Sequence, residues 1–230
     1  MNTVPTVSDT KQAFYRAFPR PITPIYRRSI DELLVETHLL TVNQDFKYDM
    51  IFASGWINTF VQFTYRYQPE RDRSQIFIAL AHALRLDPDQ LNKDSEQLEE
   101  LATKHPEAVV KLLTTLETDV DLEPLTSCVQ SIASNPKFKY SRIFAVGLFT
   151  LLETCTPDYK DPEKRQQLLT TIGGKLGIPA EKLIRDHDLY QSSLEKLKQS
   201  LQMMDDLVEA ERKKREKSAN LVSNLPSTGA

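Results

Sequence analysis

The chain has 230 residues, of which 40% are hydrophobic and 27% are charged, and its formal net charge is -3. These values are typical of a soluble globular protein, and they exclude the strongly basic field that non-specific nucleic-acid binding requires. Two cysteines, Cys128 and Cys155, are too few for a disulfide framework, and the four histidines lack metal-ligand spacing. We therefore predict no metal, no cofactor and no nucleic-acid partner.

The first ten residues, MNTVPTVSDT, lack the basic and apolar regions of a secretory signal. The longest strongly apolar stretch, Ile143 to Leu152, is too short to span a bilayer and predicts a buried helix. Any association with a membrane is therefore expected to be peripheral or to occur through a partner.

Helix signals recur along the chain, whereas the alternating pattern of strands is almost absent. Ser8 and Asp9 can cap a first helix that ends before Pro19, and Thr23-Pro24 is a cap followed by proline at the first helical position. The second helix places its apolar residues at helical spacing on one face. These are Tyr26, Ile30, Leu33, Leu34 and Thr37.

One motif occurs twice, as FKYDMIFASG from Phe46 and as FKYSRIFAVG from Phe138, at a separation of 92 residues. The same shift aligns further identical residues downstream, as expected of an internal repeat. They are Thr64 with Thr156, Tyr67 with Tyr159, Arg73 with Arg165, Gln75 with Gln167, Leu84 with Leu176, and Leu91 with Leu183. We predict two copies of one helical unit, at about 27–95 and 119–187.

Both copies carry a glycine, Gly55 and Gly147, inside a nearly continuous apolar helix. An interior glycine destabilises a helix by about 1 kcal/mol relative to alanine, so we predict a close approach between the two central helices. The paired tyrosines Tyr48 and Tyr140, with Lys47 and Lys139, either anchor the start of each helix or form a paired ligand surface. Trp56 has Leu148 as its counterpart and is predicted to be buried.

No catalytic residue is predicted. TIGGKLG, from Thr171 to Gly177, lacks the spacing of a phosphate-binding loop and follows no strand, so it indicates a helix break or cap. Asp119, Asp121 and Glu123 alternate like a partial calcium loop, but the glycine and terminal glutamate of such a loop are missing. No serine or cysteine is set up as a nucleophile.

From Leu189 the chain predicts one long helix. Five apolar residues, here called the seam, follow the 3,4 spacing of a coiled coil and are the predicted partner-binding residues. They are Leu194, Leu197, Leu201, Met204 and Val208. This stripe either binds a partner helix or folds back on the chain's own bundle. The charged run ERKKREK that follows is interpreted as a solvated helix end, with anionic lipid or nucleic acid as an alternative ligand.

The predicted fold is all-α: a helical bundle built from an internally duplicated helical unit, with a long C-terminal helix. We expect a globular domain over 1–188, the coiled-coil-prone helix over 189–218 and a disordered tail over 219–230.

The run from Thr6 to Leu40, the stretch from Phe46 to Gly55 and the coiled-coil-prone C-terminus resemble the thylakoid formation protein family. This family is also called photosystem II biogenesis protein 29. The resemblance covers roughly Thr6 to Arg215. Because it begins close to Met1, with no chloroplast transit peptide, the chain looks like a cyanobacterial member.

The resemblance implies a non-enzymatic accessory protein of photosystem II biogenesis and repair. It implies a peripheral location at the cytoplasmic face of the thylakoid membrane, and a link to FtsH-type membrane proteases whose accumulation such proteins support. Two other hypotheses remain open. The first is a carrier of a pigment or small ligand, with a pocket between the central helices near Gly55 and Gly147. The second is an enzyme, which the residues do not favour.

Overall fold

The computed structural model describes the backbone of residues 4–223 and the side chains of residues 4–215. In this part of the chain the structure consists of ten α-helices and one short 3-10 helix, with no β-strand. The predicted all-α fold is confirmed.

Helix α1 (Val7–Ala17) begins one residue earlier than its predicted cap. Thr6, rather than Ser8, is the N-cap: its hydroxyl accepts from the backbone N–H of Asp9, and the Asp9 carboxylate accepts from the backbone N–H of Thr6 at 2.8 Å. This reciprocal capping box satisfies two backbone donors at the helix start. Asp9 therefore lies in the first turn, where its negative charge is favourable.

The first copy of the repeated unit consists of four helices. Their bounds are α2 Pro24–Thr41, α3 Met50–Phe63, α4 Glu70–Ala83 and α5 Pro88–Lys104. Prolines occupy the first helical position of α2 and α5, where a missing N–H causes no loss. Asp87 caps α5, a helix of 17 residues, with its carboxylate accepting from the backbone N–H groups of Asp89 and Gln90.

After α6 (Pro106–Thr115) a second set of four helices repeats the first. Their bounds are α7 Leu125–Ala133, α8 Arg142–Cys155, α9 Pro162–Leu176 and α10 Ala180–Ser223, with a 3-10 helix at Pro157–Lys160. Both ends of α8 lie 92 residues after those of α3, and α9 and α10 start 92 residues after α4 and α5. The sequence repeat is thus also a repeat of local structure.

The two central helices, α3 and α8, approach so closely that their backbones touch. A Cβ atom on Gly55 would lie 1.8 Å from the carbonyl oxygen of Ile143, and one on Gly147 would lie 1.9 Å from that of Ile51. The contact is reciprocal, since each glycine also faces the backbone nitrogen of the other. The close approach predicted from the interior glycines is confirmed, and it requires a residue without a Cβ at both positions.

Trp56 marks where the two copies differ. Its side chain is fully buried, and its indole Nε1 donates a hydrogen bond to the hydroxyl of Thr37 at 3.2 Å. The ring packs against Phe77 in an edge-to-face arrangement with centroids 5.2 Å apart. The counterpart Leu148 is also fully buried. An aromatic cluster therefore occupies this space in the first copy, and an aliphatic side chain occupies the equivalent space in the second.

The chain divides after Tyr190 into two compact units, and α10 contributes to both. This helix begins at Ala180, not at the predicted Leu189, because the start of α5 is repeated there. It also continues through Ser223, so 219–223 are helical and the disorder predicted from residue 219 is wrong for them. The remaining residues of that predicted tail, 224–230, lie outside the described residues. Between residues 4 and 223, no helix is long and apolar enough to cross a bilayer.

Candidate interaction surface

The repeated tyrosines each form a hydrogen bond inside their own copy. The Tyr48 hydroxyl donates to Asp94 Oδ2 at 2.8 Å, and the Tyr140 hydroxyl donates to Asp186 Oδ2 at 2.7 Å. Burial, followed by the hydrogen bond to the carboxylate, raises the pKa of both phenols above the ordinary value, so both stay neutral. These bonds tie the start of α3 to α5 and the start of α8 to α10. They favour anchoring over a paired ligand surface.

Asp94 and Asp186 were missed as functional partners of the tyrosines. They are separated by the same 92 residues as the repeated motif. Extending the alignment beyond Leu91 and Leu183 would have shown that both copies carry an acid there. The available signal was the equal separation of the two pairs, since the aspartate follows the tyrosine by 46 positions in both copies.

The hypothesis of a pocket between the central helices near Gly55 and Gly147 is wrong in its location. The two backbones are in contact at this crossing, so no space for a pigment or small ligand exists between them. Close contact of backbones excludes a cavity for the same physical reason that it selects glycine.

The TIGGKLG segment is a helix end, as predicted. Gly177 adopts a left-handed backbone with φ of 68° and caps α9, and the N–H of Ile178 donates to the carbonyl of Gly173 at 2.8 Å. These are the features of a glycine C-cap. Within residues 4–215, no group of three or more His, Cys, Asp and Glu side chains could hold a metal ion.

Both cysteines have thiols that are hard to ionise. Burial raises the pKa of Cys128 to about 12 and that of Cys155 to about 11. The nearby Asp49 carboxylate adds to the shift at Cys128. Because the thiolate is the reactive form, neither side chain is an activated nucleophile.

The seam divides into a buried half and an exposed half. Leu197 and Leu201 are buried and Leu194 is half-buried, whereas Met204 is 43% and Val208 is 65% exposed. The sequence predicted all five seam residues as partner-binding, but only Met204 and Val208 are exposed to solvent.

Two further apolar residues, Met203 and Leu207, are each 66% exposed and were missed. Together with Met204 and Val208 they form a continuous group at positions one and four apart on α10, here called the α10 apolar patch. A strict coiled-coil spacing selects one residue per helical turn and ignores its neighbours. The sequence signal for the patch was two adjacent apolar pairs, Met203-Met204 and Leu207-Val208, one helical turn apart.

Polar residues of α10 that alternate in sequence with those of the patch pair with one another along the helix. Gln202 donates to Asp206 at 2.9 Å, and Lys213 pairs with Glu209 at 2.6 Å. These i,i+4 pairs lie on the side of α10 opposite the patch and mark it as a solvated side. The charged run predicted as a solvated helix end continues with Arg215, which lies 4.0 Å from Glu211. The side chains of Glu216 and Lys217 lie outside the described residues.

Comparisons with known proteins agree with this architecture over nearly the whole chain. A family model described as Thylakoid formation protein matches residues 6–219. Protein Thf1 of Trichormus variabilis is 46% identical over 221 residues, covering 94% of both chains. Protein Thf1 of Synechocystis sp. is 44% identical over 223 residues, covering 95% of this chain and 92% of the relative. A solved structure of Psb29 superimposes with a TM-score of 0.79 at 40% identity, covering 92% of this chain and 99% of that one. The chain therefore belongs to the thylakoid formation protein family.

Proposed function

We propose that the protein is a non-enzymatic accessory factor of photosystem II biogenesis and repair. In this role it binds an FtsH-type membrane protease complex and stabilises it. It acts as a peripheral protein at the cytoplasmic face of the thylakoid membrane. Membership of the thylakoid formation protein family supports the setting, and the α10 apolar patch supports a role in binding another protein.

The observation that carries the proposal is the exposure of four large apolar side chains next to one another on a helix. Met203, Leu207 and Val208 are each about two-thirds exposed, and Met204 is 43% exposed. Contiguous apolar side chains of this kind mark interaction sites on soluble proteins. A helix with one apolar face fits a hydrophobic groove on a partner.

The size of the patch limits the affinity that it can supply. Fully burying an apolar side chain contributes about 1.5–3 kcal/mol, so these four side chains, which are 43–66% exposed, contribute about 4–7 kcal/mol. Association costs at least about 4 kcal/mol in lost translational and rotational freedom. The patch therefore supplies specificity and a weak first contact, and a lasting complex needs further contacts elsewhere on the chain.

No chemical step is required for such a factor to act. A protein that binds the assembled form of the protease, and not its separated or unfolded subunits, raises the population of the assembled form by mass action. At a free concentration one hundred times the Kd, this linkage contributes about 2.7 kcal/mol. The expected result in cells is a larger steady amount of the protease.

The experiment compares the full-length protein with a double variant of the patch, Met203→Gln and Leu207→Gln. Each tagged protein is incubated with detergent-solubilised thylakoid membranes, and the recovered FtsH-type subunits are measured by immunoblot. Both positions are two-thirds exposed, so the variant should fold normally while recovering several-fold less protease.

The matched control replaces two exposed apolar residues of the helical body, Val61→Gln and Ile78→Gln, which are 39% and 45% exposed. It should recover as much protease as the unmodified protein. If the unmodified protein recovers no protease, the proposed partner is wrong. If the patch variant and the control recover equal amounts, the patch is not the contact.

A further inference from the structure

A surface cleft of about 670 Å³ lies beside the first copy of the repeated unit. It is bordered by α1, the end of α2, the end of α4 and the start of α5. This volume is in the range of small-molecule sites in proteins. The cleft lies away from the crossing of α3 and α8, where the sequence predicted a pocket.

Arg85 lies on the rim of this cleft in an unusual backbone conformation. Its φ is 59°, in the left-handed region that L-residues other than glycine, asparagine and aspartate rarely adopt. The equivalent residue of the second copy is Gly177, with φ of 68°. Each residue ends a helix in the same way, with the N–H of the next residue donating back to the helix. The first copy therefore carries an arginine where the backbone favours glycine, and such strain is found at functional sites.

The guanidinium of Arg85 has no hydrogen-bond or ion-pair partner among residues 4–215. The one acid that lines the cleft, Asp87, caps α5: its Oδ1 accepts from the backbone N–H groups of Asp89 and Gln90 at 2.9 and 3.3 Å. An exposed guanidinium with its donors unused matches the oxygens of a carboxylate or phosphate.

Two other polar side chains of the lining are held in place by Asp94. Its Oδ2 accepts from the Tyr48 hydroxyl at 2.8 Å, and its Oδ1 accepts from Gln90 Nε2 at 2.7 Å. On the α1 side, the Thr10 hydroxyl lies 2.9 Å from His38 Nδ1, and both residues are buried. Side chains fixed in this way lose little conformational freedom on binding a ligand.

The rest of the lining is largely apolar and includes Val42, Phe46 and Leu86. Phe46 is itself fixed by an edge-to-face contact with Phe52, with ring centroids 5.1 Å apart. The lining thus combines one unpaired cation at the rim with apolar walls.

We infer that this cleft binds an anionic amphiphile. The carboxylate or phosphate oxygens of the ligand pair with the Arg85 guanidinium, and its apolar body lies against Phe46 and Leu86. This assignment does not depend on the proposed protease partner.

The second copy has a different arrangement at the equivalent place. Gly177 provides no cation there, and Lys182, the counterpart of Gln90, lies with its ammonium 4.5 Å from the centre of the Tyr140 ring. That cation is engaged with an aromatic face. The inferred site is therefore a property of the first copy, which helix α1 covers.

The test uses the full chain and three probes with the same ten-carbon tail: decanoate, decyl phosphate and decanol, each below its micelle concentration. Binding is followed by titration calorimetry. At least one anionic probe should bind in a one-to-one complex, at least ten times more tightly than decanol. Acetate and inorganic phosphate, which lack the tail, separate an amphiphile site from a site for a free anion and should bind at least ten times more weakly.

The variant Arg85→Gly installs the residue that the second copy has at this position. It should weaken the anionic probe at least tenfold and leave decanol binding unchanged. Its melting temperature should be no lower than that of the unmodified protein, because glycine relieves the left-handed strain. The matched control Arg71→Gln removes an equal charge from an exposed position on α4 and should bind the anionic probe normally.

The inference is overturned by any of three results. They are equal affinity for decanol and the anionic probes, equal affinity of Arg85→Gly and the unmodified protein, or tight binding of inorganic phosphate or acetate without a tail. If decanoate binds and decyl phosphate does not, or the reverse, the inference stands and the head group is identified.

Discussion

Replacing Gly55 by alanine should destabilise the protein strongly, although the same replacement usually stabilises a helix. The added Cβ would lie 1.8 Å from the carbonyl oxygen of Ile143 and 2.7 Å from the backbone nitrogen of Gly147. Both atoms belong to the backbone of α8, so no side chain can rotate away. The two central helices must separate by about 1.5 Å at this point to reach ordinary contact distances.

The magnitude follows from two opposing effects. Alanine in a helix interior is favoured over glycine by about 1 kcal/mol. Overpacking of a buried contact costs about 1–3 kcal/mol and more where backbone must move, and separating the helices weakens the packing along the whole crossing. We expect a net decrease of about 2–4 kcal/mol in the free energy of unfolding. For a domain of this size, this lowers the melting temperature by roughly 5–15 °C.

Urea unfolding followed by circular dichroism at 222 nm measures the change. The control is Gly174→Ala, in the last turn of α9, where an added Cβ would meet nothing within 4 Å. That control should stabilise the protein by about 0.5–1 kcal/mol. The double variant Gly55→Ala with Gly147→Ala should lose less than the sum of the single losses, because one separation of the helices accommodates both methyl groups. A Gly55→Ala protein that is as stable as the Gly174→Ala control would refute the reasoning.

Three further predictions concern titration and hydrogen bonding. Burial raises the pKa of Asp49 to about 6, so the folded state binds the proton of this carboxyl group more tightly than the unfolded chain does. The free energy of unfolding therefore decreases as the pH rises from about 4 to 6. Asp49→Ser, which installs the cap used at the equivalent position of α8, should therefore stabilise more at pH 7 than at pH 4 in urea titrations; an equal difference at both pH values contradicts this. Tyr48→Phe and Tyr140→Phe should each lower the free energy of unfolding by about 1 kcal/mol, additively, since the two hydrogen bonds share no residue; strong non-additivity on chemical unfolding would show that the copies are coupled. Cys128 and Cys155 should react with iodoacetamide at pH 8 at least tenfold more slowly in the folded protein than in urea, because burial raises both pKa values; equal rates by mass spectrometry would exclude the packing described.

The helices and the repeat followed from local chemistry and could be predicted. Pro24 and Pro88 lie at first helical positions, where the N–H that proline lacks has no partner within the helix. Asp87 and Asp161 cap helices because their carboxylates accept hydrogen bonds from the free N–H groups of the first turn. The paired glycines predicted the crossing of the central helices. Glycine destabilises a helix interior, and a close approach of two backbones compensates for that loss.

The surfaces could be predicted only in part. The spacing of the seam identified Leu197 and Leu201 correctly as helix-face residues, but it could not tell them from Met204 and Val208. Apolar periodicity gives the side of a helix on which a residue lies, and not whether another element covers that side. The exposure of Met203 and Leu207 is a property of the folded chain that the spacing of apolar residues does not indicate.

The sequence by itself determined an all-helical chain, its duplication and the contact between its two copies, because helix capping, apolar spacing and the size of glycine are properties of neighbouring residues. Tertiary structure alone decided which apolar residues stay exposed on α10, and it alone placed Arg85 beside Phe46 and His38 in one cleft. Those residues are distant in the chain, and their proximity results from the packing of α1, α2, α4 and α5. No pattern among neighbouring residues predicts that packing.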